Sequence, residues 1–331
     1  MKYVLENMFN INEDKVMKKI ILALAAVVMS AGMVFAQDMA TATEKAKEGN
    51  EALQSGDKAT ALASFQEALQ MAESCGEDGA ELVSTCKGVI PGIILSIGKD
   101  AYNAQDFETA IARFEEAAKV AAEYGDEATA ADVAEILPQA NINKELIAAN
   151  DALKAKDFAA ATEGYRKVLA LDPTHANASV RLVQSLANAG DLAGAKEALA
   201  TAEANGQGAN ATKALGGAFL KKAAADLKNK DYESAIANAL EANNFQENAQ
   251  AYLVAGQAAQ KLNKNNDAIN YFEKYLEAAP TAKNANAITF TVAALYQTAG
   301  NKAKALENYK KVLTDPQFGA NAKQMVDALN K

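Results

Sequence analysis

The sequence predicts an all-α protein that is built from repeated helix pairs. Half of the 331 residues are apolar, but Trp is absent and there are only five Pro. Much of the apolar content is Ala, which favours helices and lets neighbouring helices approach closely. Alternating Val, Ile and Thr runs of strand type are absent. One spacing pattern of small and apolar residues recurs about seven times between residues 42 and 317, and this repetition predicts an array of helix pairs.

The first element along the chain is a predicted secretion signal. Two Lys residues precede an apolar run at 20–35, and small residues precede Gln37. This order is typical of a secretory signal peptide, so residues 1–36 are predicted to be a leader with the signal at 17–36. The mature chain would begin at Gln37 and be exported, to the periplasm or the outer envelope. Residues 1–16 are polar and unusual ahead of a signal, so translation is expected to begin at Met17, and an uncleaved anchor stays open as the alternative.

Seven repeat units follow, and all share one pattern. Small residues lie in the first helix, a polar turn follows, and the second helix carries Ala, then an aromatic residue or Leu four positions later. The spacing of three to four residues places these side chains on one helix face, so they are predicted to form the core. The units are predicted over residues 42–73, 91–122, 142–173, 176–205, 216–246, 249–280 and 286–317. The large core residues are Phe65, Phe114, Tyr165, Leu199, Phe272 and Tyr309.

The spacing between units varies, and this predicts further features. Long segments of helical composition precede Pro91 and Pro138, so extended first helices are expected there, kinked or restarted at each proline. Two Gly in the polar stretch 205–211 indicate a soft joint. The array is therefore predicted to divide into a front part, residues 37–205, and a back part, residues 206–331. Residues 321–331 are predicted to form a C-terminal capping helix, because an array of this kind needs a polar end.

On these residues the chain resembles the tetratricopeptide repeat family, whose unit is a helix–turn–helix of about 34 residues. The step from residue 142 to residue 176 equals that period. The Trp that the family has in its first helix is missing, and residues such as Phe219 and Tyr252 replace it, so thinner helix interfaces are expected. The resemblance implies a right-handed superhelical array, an α-solenoid, whose first helices line a concave groove. Together with the leader, it suggests an exported bacterial member.

Polar residues of the first helices are the candidate binding residues. Asn50 and Asn150 occupy the same repeat position, and a carboxamide can pair with both groups of a peptide unit. The resemblance implies a groove that holds an extended peptide by its backbone, with a few Lys favouring acidic ends. The alternative is that these Asn and Gln are solvated surface residues. The candidates are Asn50, Lys99, Tyr102, Asn103, Asn143, Asn150, Lys154, Gln184, Asn188, Gln257, Gln260, Lys261 and Gln297.

Little in the sequence indicates catalysis or a metal. His175 is the single His, and it follows an Asp-Pro turn, where a solvated side chain is expected. Cys75 and Cys86 are the only cysteines, and two interpretations stay open for them: a small disulfide loop or two reduced thiols that fill gaps between helices. Two Cys and one His cannot complete a tetrahedral zinc site without carboxylates. We therefore expect no metal, no cofactor and no enzymatic activity.

The sequence predicts an exported scaffold that binds a peptide or protein segment in the groove. The net charge of −9 argues against nucleic acid as partner, and no stable membrane insertion is expected after signal cleavage. Ala46 stands where a clamp for the acidic tails of heat-shock chaperones would need Lys, so that ligand is not expected. The alternatives are an assembly component of an outer-envelope complex, which an exposed apolar patch at Ile93–Ile97 would favour, and a glycan-binding module, which groove aromatics would favour.

Overall fold

The computed structural model describes residues 36–330, and in this part of the chain it contains helices and no strand. The prediction of an all-α fold is confirmed. Except for Ala36, the predicted signal at 17–36 lies outside the described residues, so its cleavage stays a prediction. The helices are α1 Ala36–Ser55, α2 Lys58–Ser74, α3 Ala80–Asn103, α4 Phe107–Tyr124, α5 Glu127–Lys154, α6 Phe158–Leu171, α7 Ala176–Ala189, α8 Leu192–Ala204, α9 Gly208–Lys228, α10 Tyr232–Phe245, α11 Ala249–Lys261, α12 Asn265–Ala278, α13 Ala285–Thr298, α14 Lys302–Lys311 and α15 Gly319–Leu329.

Each predicted unit contains one helix pair, from α1 with α2 to α13 with α14. A one-turn 3₁₀ helix, Gly76–Gly79, precedes α3. The last helix, α15, follows the seventh pair and buries Ala322, as expected for the predicted cap. The chain is therefore an array of helical repeats, as the sequence predicted.

The turn within each pair has the same local structure. In six pairs the residue before the second helix is Asp or Asn. Its side chain accepts a hydrogen bond from a backbone N–H in the first turn of that helix. Such N-caps satisfy a helix donor that has no partner within the helix. In all seven pairs, the N–H of this cap residue donates to the carbonyl five residues earlier, at 2.8–3.0 Å. The residue before each cap has a left-handed backbone: Gly56, Gln105, Lys156, Gly190, Lys230, Asn263 and Gly300.

The core forms where an aromatic ring of the second helix lies against a small residue of the first. An added Cβ at Gly98 would lie 2.7 Å from the ring of Phe114, so the two helices touch at this point. Five of the six predicted large core residues are at most 2 % exposed, and their prediction is confirmed. Leu199 is the exception, because it is only partly buried on α8.

The two extended first helices are confirmed, but neither restarts at its proline. α3 continues through Pro91 and α5 continues through Pro138. The additional N-terminal turns of α3 bury apolar side chains such as Leu82 and Ile90. The segment Gly76–Asn103 is long and apolar enough to cross a membrane by length and composition. Its buried residues belong to a hydrophobic core, which accounts for that composition.

The residues in contact divide the chain into two compact units, one ending at Ile147 and one over Ala148–Lys331. This differs from the predicted division between residues 205 and 206. The stretch predicted as a soft joint is a tight turn, in which the N–H of Gln207 donates to the carbonyl of Ala202 at 2.7 Å. The side chain of Asn205 also donates to the carbonyl of Pro173 at 3.0 Å. The first bond closes the turn between α8 and α9, and the second ties that turn to the one between α6 and α7.

The two cysteines are free and buried. The disulfide, one of the two interpretations left open, is therefore not formed in this structure. The thiol of Cys75 donates to the carbonyl of Met71 at 3.3 Å. Burial raises the pKa of the Cys86 thiol to about 12, since the thiolate would lose its hydration. Both side chains fill space between helices, in agreement with the second interpretation.

Candidate functional site

An open cleft lies between α7 and α9 in the second unit. It has two halves, with volumes of about 500 and about 530 Å³. Gln184, Ala214 and Gly217 line both halves, so the two are continuous. We call this site the α7–α9 cleft. The lining residues that matter for its chemistry are Asn177, Arg181, Gln184, Asn188, Lys213, Ala214, Gly217, Ala218, Lys221 and Lys222.

Helical spacing produces the two walls. On α7, Asn177, Arg181, Gln184 and Asn188 recur at steps of three and four residues, which places them in one row. On α9, the row contains Lys213 and Lys221, with small residues between them. These small residues leave the space that forms the cleft.

Gly217 is at the centre of the cleft and has no packing partner. A Cβ built on it would meet no atom within 4 Å. The neighbouring Gly216 is different, because its Cβ would lie 3.3 Å from the carbonyl oxygen of Ala242. A glycine inside a helix costs about 1 kcal/mol relative to Ala. No packing contact explains this cost at Gly217. The missing side chain leaves the space above Gly217 open, and we call this space the floor of the cleft.

The charges that line the cleft are positive, with no Asp or Glu among the lining residues. Lys213 and Lys221 are exposed, and within residues 38–330 neither forms an ion pair. Lys222 differs from them, because its ammonium pairs with the buried carboxylate of Asp226. The α7–α9 cleft therefore presents two ammonium groups that are available to an anionic ligand.

The carboxamides on the α7 wall offer hydrogen-bond donors and acceptors to a ligand. The guanidinium of Arg181 donates to Oε1 of Gln184 at 3.0 Å, which leaves the amide N–H groups of Gln184 as donors. Asn188 is exposed and makes no side-chain hydrogen bond to any described residue. A carboxamide without a partner can both donate to and accept from a peptide unit. Of the predicted candidates, the structure brings Gln184 and Asn188 together in this cleft.

The buried carboxylate of Asp226 stabilises one end of the α9 wall. It is 4 % exposed, and its second oxygen accepts a hydrogen bond from Asn238 on α10 at 2.7 Å. A buried charge is costly unless it is paired and hydrogen-bonded, and Asp226 is both. The result is that Lys222 is held against α9, whereas Lys213 and Lys221 are not.

The candidates in the first unit form a smaller set of contacts. The side-chain amide of Asn143 donates to the hydroxyl of Tyr102 at 2.5 Å. Burial raises the pKa of Tyr102, and its ring makes an edge contact with Phe107 at a centroid distance of 5.4 Å. The ring therefore takes part in the packing of α3 against α4. Lys99 is ion-paired with Asp132 at 3.8 Å.

The other candidates do not line the cleft. Asn150 accepts a hydrogen bond from the hydroxyl of Tyr165, and Gln297 accepts one from Tyr309, at 2.7 and 2.9 Å. In both cases a first-helix carboxamide binds the large core residue of its own pair, which is a stabilising role. Lys154 pairs with Asp151. The remaining candidates are Asn50, which is partly buried, and Asn103, Gln257, Gln260 and Lys261, which are exposed.

The residues of the α9 wall are not among the predicted candidates. Lys213, Gly217 and Lys221 are spaced at i, i+4 and i+8, a pattern that marks one helix face. This signal was available, but the fifth unit was predicted to begin at residue 216, so Lys213 lay outside it, whereas α9 begins at Gly208. Arg181 was missed on the opposite wall, although it lies three residues before the predicted Gln184 and therefore on the same face of α7.

Chemistry beyond binding finds little support in the described residues. Within residues 38–330, no group of three His, Cys, Asp or Glu side chains could hold a metal ion. His175 was expected to be solvated, but it is partly buried and caps α7, where its Nδ1 accepts the N–H of Ala178 at 3.1 Å. Its ring therefore has a structural role.

Two sequence models of the tetratricopeptide repeat family match this chain. One match covers residues 152–216 and the other covers residues 249–281. The first match includes α7 and most of the α7–α9 cleft. No curated protein sequence matches the chain.

Several solved structures are similar to parts of the chain. A crystal structure of the MamA protein is 21% identical, with a TM-score of 0.33, over 55% of this chain and 94% of that chain. YrrB, a tetratricopeptide repeat protein with an unusual peptide-binding site, is 19% identical, with a TM-score of 0.30, over 54% and 90%. The TPR2AB domain of yeast Sti1 in complex with pHSP90 is 18% identical, with a TM-score of 0.30, over 88% and 99%.

Proposed function

We propose that this chain, which is a tetratricopeptide repeat protein, is an exported, non-catalytic scaffold that binds an extended peptide or protein segment in the α7–α9 cleft. The observation that carries the proposal is the pair of ammonium groups at Lys213 and Lys221, which have no carboxylate partner within the described residues. Opposite them, Gln184 and Asn188 supply groups that suit a peptide backbone. The preferred ligand is an acidic peptide, and neither nucleic acid nor a membrane surface is expected to bind.

Peptide arrays with the purified full chain test this proposal. Random decapeptides of acidic, neutral and basic composition are probed with the parent and with the double variant Lys213→Ala/Lys221→Ala. The parent is expected to select acidic peptides, and the double variant is expected to lose that selection.

The matched control is Lys302→Ala/Lys310→Ala, which removes the same charge from exposed positions on α14. The control should select peptides as the parent does. If the control loses selection to the same extent as the cleft variant, only net charge matters, and the cleft is not the binding site. No selection by the parent would overturn the proposal.

The assembly alternative has less support. An exposed apolar patch at Ile93–Ile97 would have favoured it, but Ile93, Ile94 and Leu95 are at most 4 % exposed. The large apolar residues that are exposed within residues 38–330, Ile147, Leu171 and Leu313, lie far apart in the sequence. The feature that would have favoured the assembly function is therefore not present at Ile93–Leu95.

Export rests on the sequence of the leader and has its own test. N-terminal sequencing of the protein from its native envelope fraction should begin at Gln37. A first residue within 1–36 would contradict cleavage and favour the uncleaved anchor, and recovery from the cytoplasm would contradict export. Neither result would affect the binding proposal.

A further inference from the structure

The α9 wall has a regular arrangement that defines which acidic peptide fits. Lys213, Gly217 and Lys221 lie in one row at four-residue steps on a continuous helix. With a rise of 1.5 Å per residue, the two lysines start about 12 Å apart along α9, and the glycine lies halfway between them. Along α9 the wall therefore has the ammonium group of Lys213, then the open space above Gly217, then the ammonium group of Lys221.

An extended peptide has a matching repeat. Its residues advance by about 3.3 Å, and alternate side chains point to the same side. Residues i and i+4 on one side are therefore about 13 Å apart, close to the spacing of the two lysines. Residue i+2, on the same side, would lie above Gly217.

The space above Gly217 suits an apolar side chain. Ala214 and Ala218 flank it on α9, and Leu192 lines the same half of the cleft from α8. The added Cβ at Gly217 meets nothing within 4 Å, so the floor is open to a ligand side chain. Burial of a Leu there would remove apolar surface from water on both partners.

From this geometry we infer that the cleft recognises a five-residue extended motif with acidic residues at its first and fifth positions and a large apolar residue at its third. The inference rests on the proposed function and specifies its ligand. The motif is the same in both chain directions, so the assignment does not depend on the polarity of the bound peptide. Gly217 is its specificity-determining residue.

Three capped synthetic peptides of equal composition test the motif. The first contains Asp-Ser-Leu-Ser-Asp, the second contains Asp-Leu-Ser-Ser-Asp, and the third contains Ser-Asp-Leu-Asp-Ser, each flanked by Gly and labelled with fluorescein. Fluorescence anisotropy with the full chain should show that the first binds about tenfold tighter than the second, the change expected for losing a buried Leu. The third should bind about fivefold weaker than the first, because both Asp side chains then point away from the lysines and two exposed ion pairs are lost.

The variant Gly217→Leu provides a test from the protein side. Its side chain fills the floor, so binding of the first peptide should weaken about tenfold while the second changes little. Gly88→Leu is the matched control, because Gly88 is an exposed glycine of α3 with nothing within 4 Å of its added Cβ. Circular dichroism melts of both variants verify folding.

The possible failures are distinguishable. The motif is wrong if all three peptides bind with equal affinity, or if Gly217→Leu changes the affinities of the first two by the same factor. In either case the proposed function, binding of an acidic peptide, is not contradicted. If none of the three binds while the arrays still select acidic peptides, the motif is again wrong. If neither the arrays nor the three peptides show binding, the proposed function fails together with the motif.

Discussion

At the scale of single residues, three glycines permit a close contact between a first helix and an aromatic ring of the second helix. Gly49, Gly98 and Gly256 each lie eight residues before the cap of the second helix, and each faces an aromatic ring eight residues after that cap. The added Cβ would lie 2.6 to 2.8 Å from the ring in all three cases. Since such distances are shorter than van der Waals contact, a methyl group there must displace the ring or the helix.

Gly256→Ala should therefore destabilise the protein. Phe272 is 1 % exposed and cannot move aside freely, so a loss of about 1–3 kcal/mol in unfolding free energy is expected. Urea denaturation followed by circular dichroism measures it. The control Gly88→Ala, at an exposed helix site with open space, should gain up to about 1 kcal/mol. Equal stability of Gly256→Ala and the parent would contradict the close contact.

The thiol of Cys86 should be unreactive in the folded protein. Because burial raises its pKa to about 12, it stays protonated at pH 8, and the thiolate is the reactive form. The raised pKa also makes the unfolding free energy depend on pH. The contribution of this thiol to stability is fully present below its ordinary pKa of 9.0, and it is lost as the pH rises toward 12, because the unfolded chain releases the proton first. Iodoacetamide labelling with mass spectrometry at pH 8 should be slow at Cys86 and become fast in denaturant. Rapid labelling of the folded chain would contradict its burial.

At the scale of helices, the cap of α12 differs from the other six intrapair caps. Lys264 has φ −83° and ψ 67°, close to the −87° and 76° of Asn301, but its side chain makes no cap hydrogen bond. The backbone is thus already arranged for a cap, and only the acceptor is missing.

Lys264→Asn should supply that acceptor and raise the unfolding free energy by about 1 kcal/mol. Asn301→Ala should produce the opposite change of similar size, because it removes the acceptor of the Lys304 N–H. Thermal melts of both variants and the parent measure the two effects. A destabilised Lys264→Asn would show that the lysine has a role other than capping.

At the scale of the whole molecule, charge is distributed unevenly between the units. Residues 38–147 carry 21 acidic and 8 basic side chains, and residues 148–331 carry 18 and 21. The acidic net charge of the chain thus comes from the first unit, and the second unit, which holds the cleft, is slightly basic. A net charge of −9 therefore does not prevent the second unit from binding an acidic ligand.

Binding to the cleft should depend on ionic strength. Raising the salt concentration from about 0.05 M to about 0.5 M shortens the Debye length and screens exposed charges such as Lys213 and Lys221. The affinity for an acidic peptide should fall severalfold over this range, as measured by anisotropy titration. The Lys213→Ala/Lys221→Ala variant should show a smaller change. An affinity independent of salt would indicate that the lysines do not contact the ligand.

Much of the fold could be predicted because its determinants are local and repeated. Phe65, Phe114 and Tyr165 recur at a fixed distance from a capped turn, so spacing alone places them in the core. The extended helices were also predictable, since no turn signal interrupts the segments before Pro91 and Pro138. The boundary between the two units could not be predicted in the same way. Two glycines in a polar stretch fit a tight turn as well as a flexible joint, so the stretch after residue 205 did not distinguish them.

The candidate site was less accessible to sequence analysis. Asn150 and Gln297 are polar first-helix residues like Gln184, but only the packed structure shows that hydroxyls of Tyr165 and Tyr309 bind them. The cleft itself depends on small residues of one helix lying opposite the polar row of another, as Gly217 of α9 lies opposite Gln184 of α7. That property involves two separate helices, and a pattern within one helix does not reveal it.

The turn residues with a left-handed backbone are sites at which the protein can be stabilised by substitution. Gln105, Lys156, Lys230 and Asn263 hold a backbone conformation that costs a residue with a side chain about 1 kcal/mol, least for Asn. Glycine occupies the same place in the other three turns, so each of the four can be replaced without altering the core or the cleft. Stepwise replacement would give a graded set of proteins with one binding surface and rising melting temperatures. Costly cleft substitutions could then be examined in a background robust enough to tolerate them.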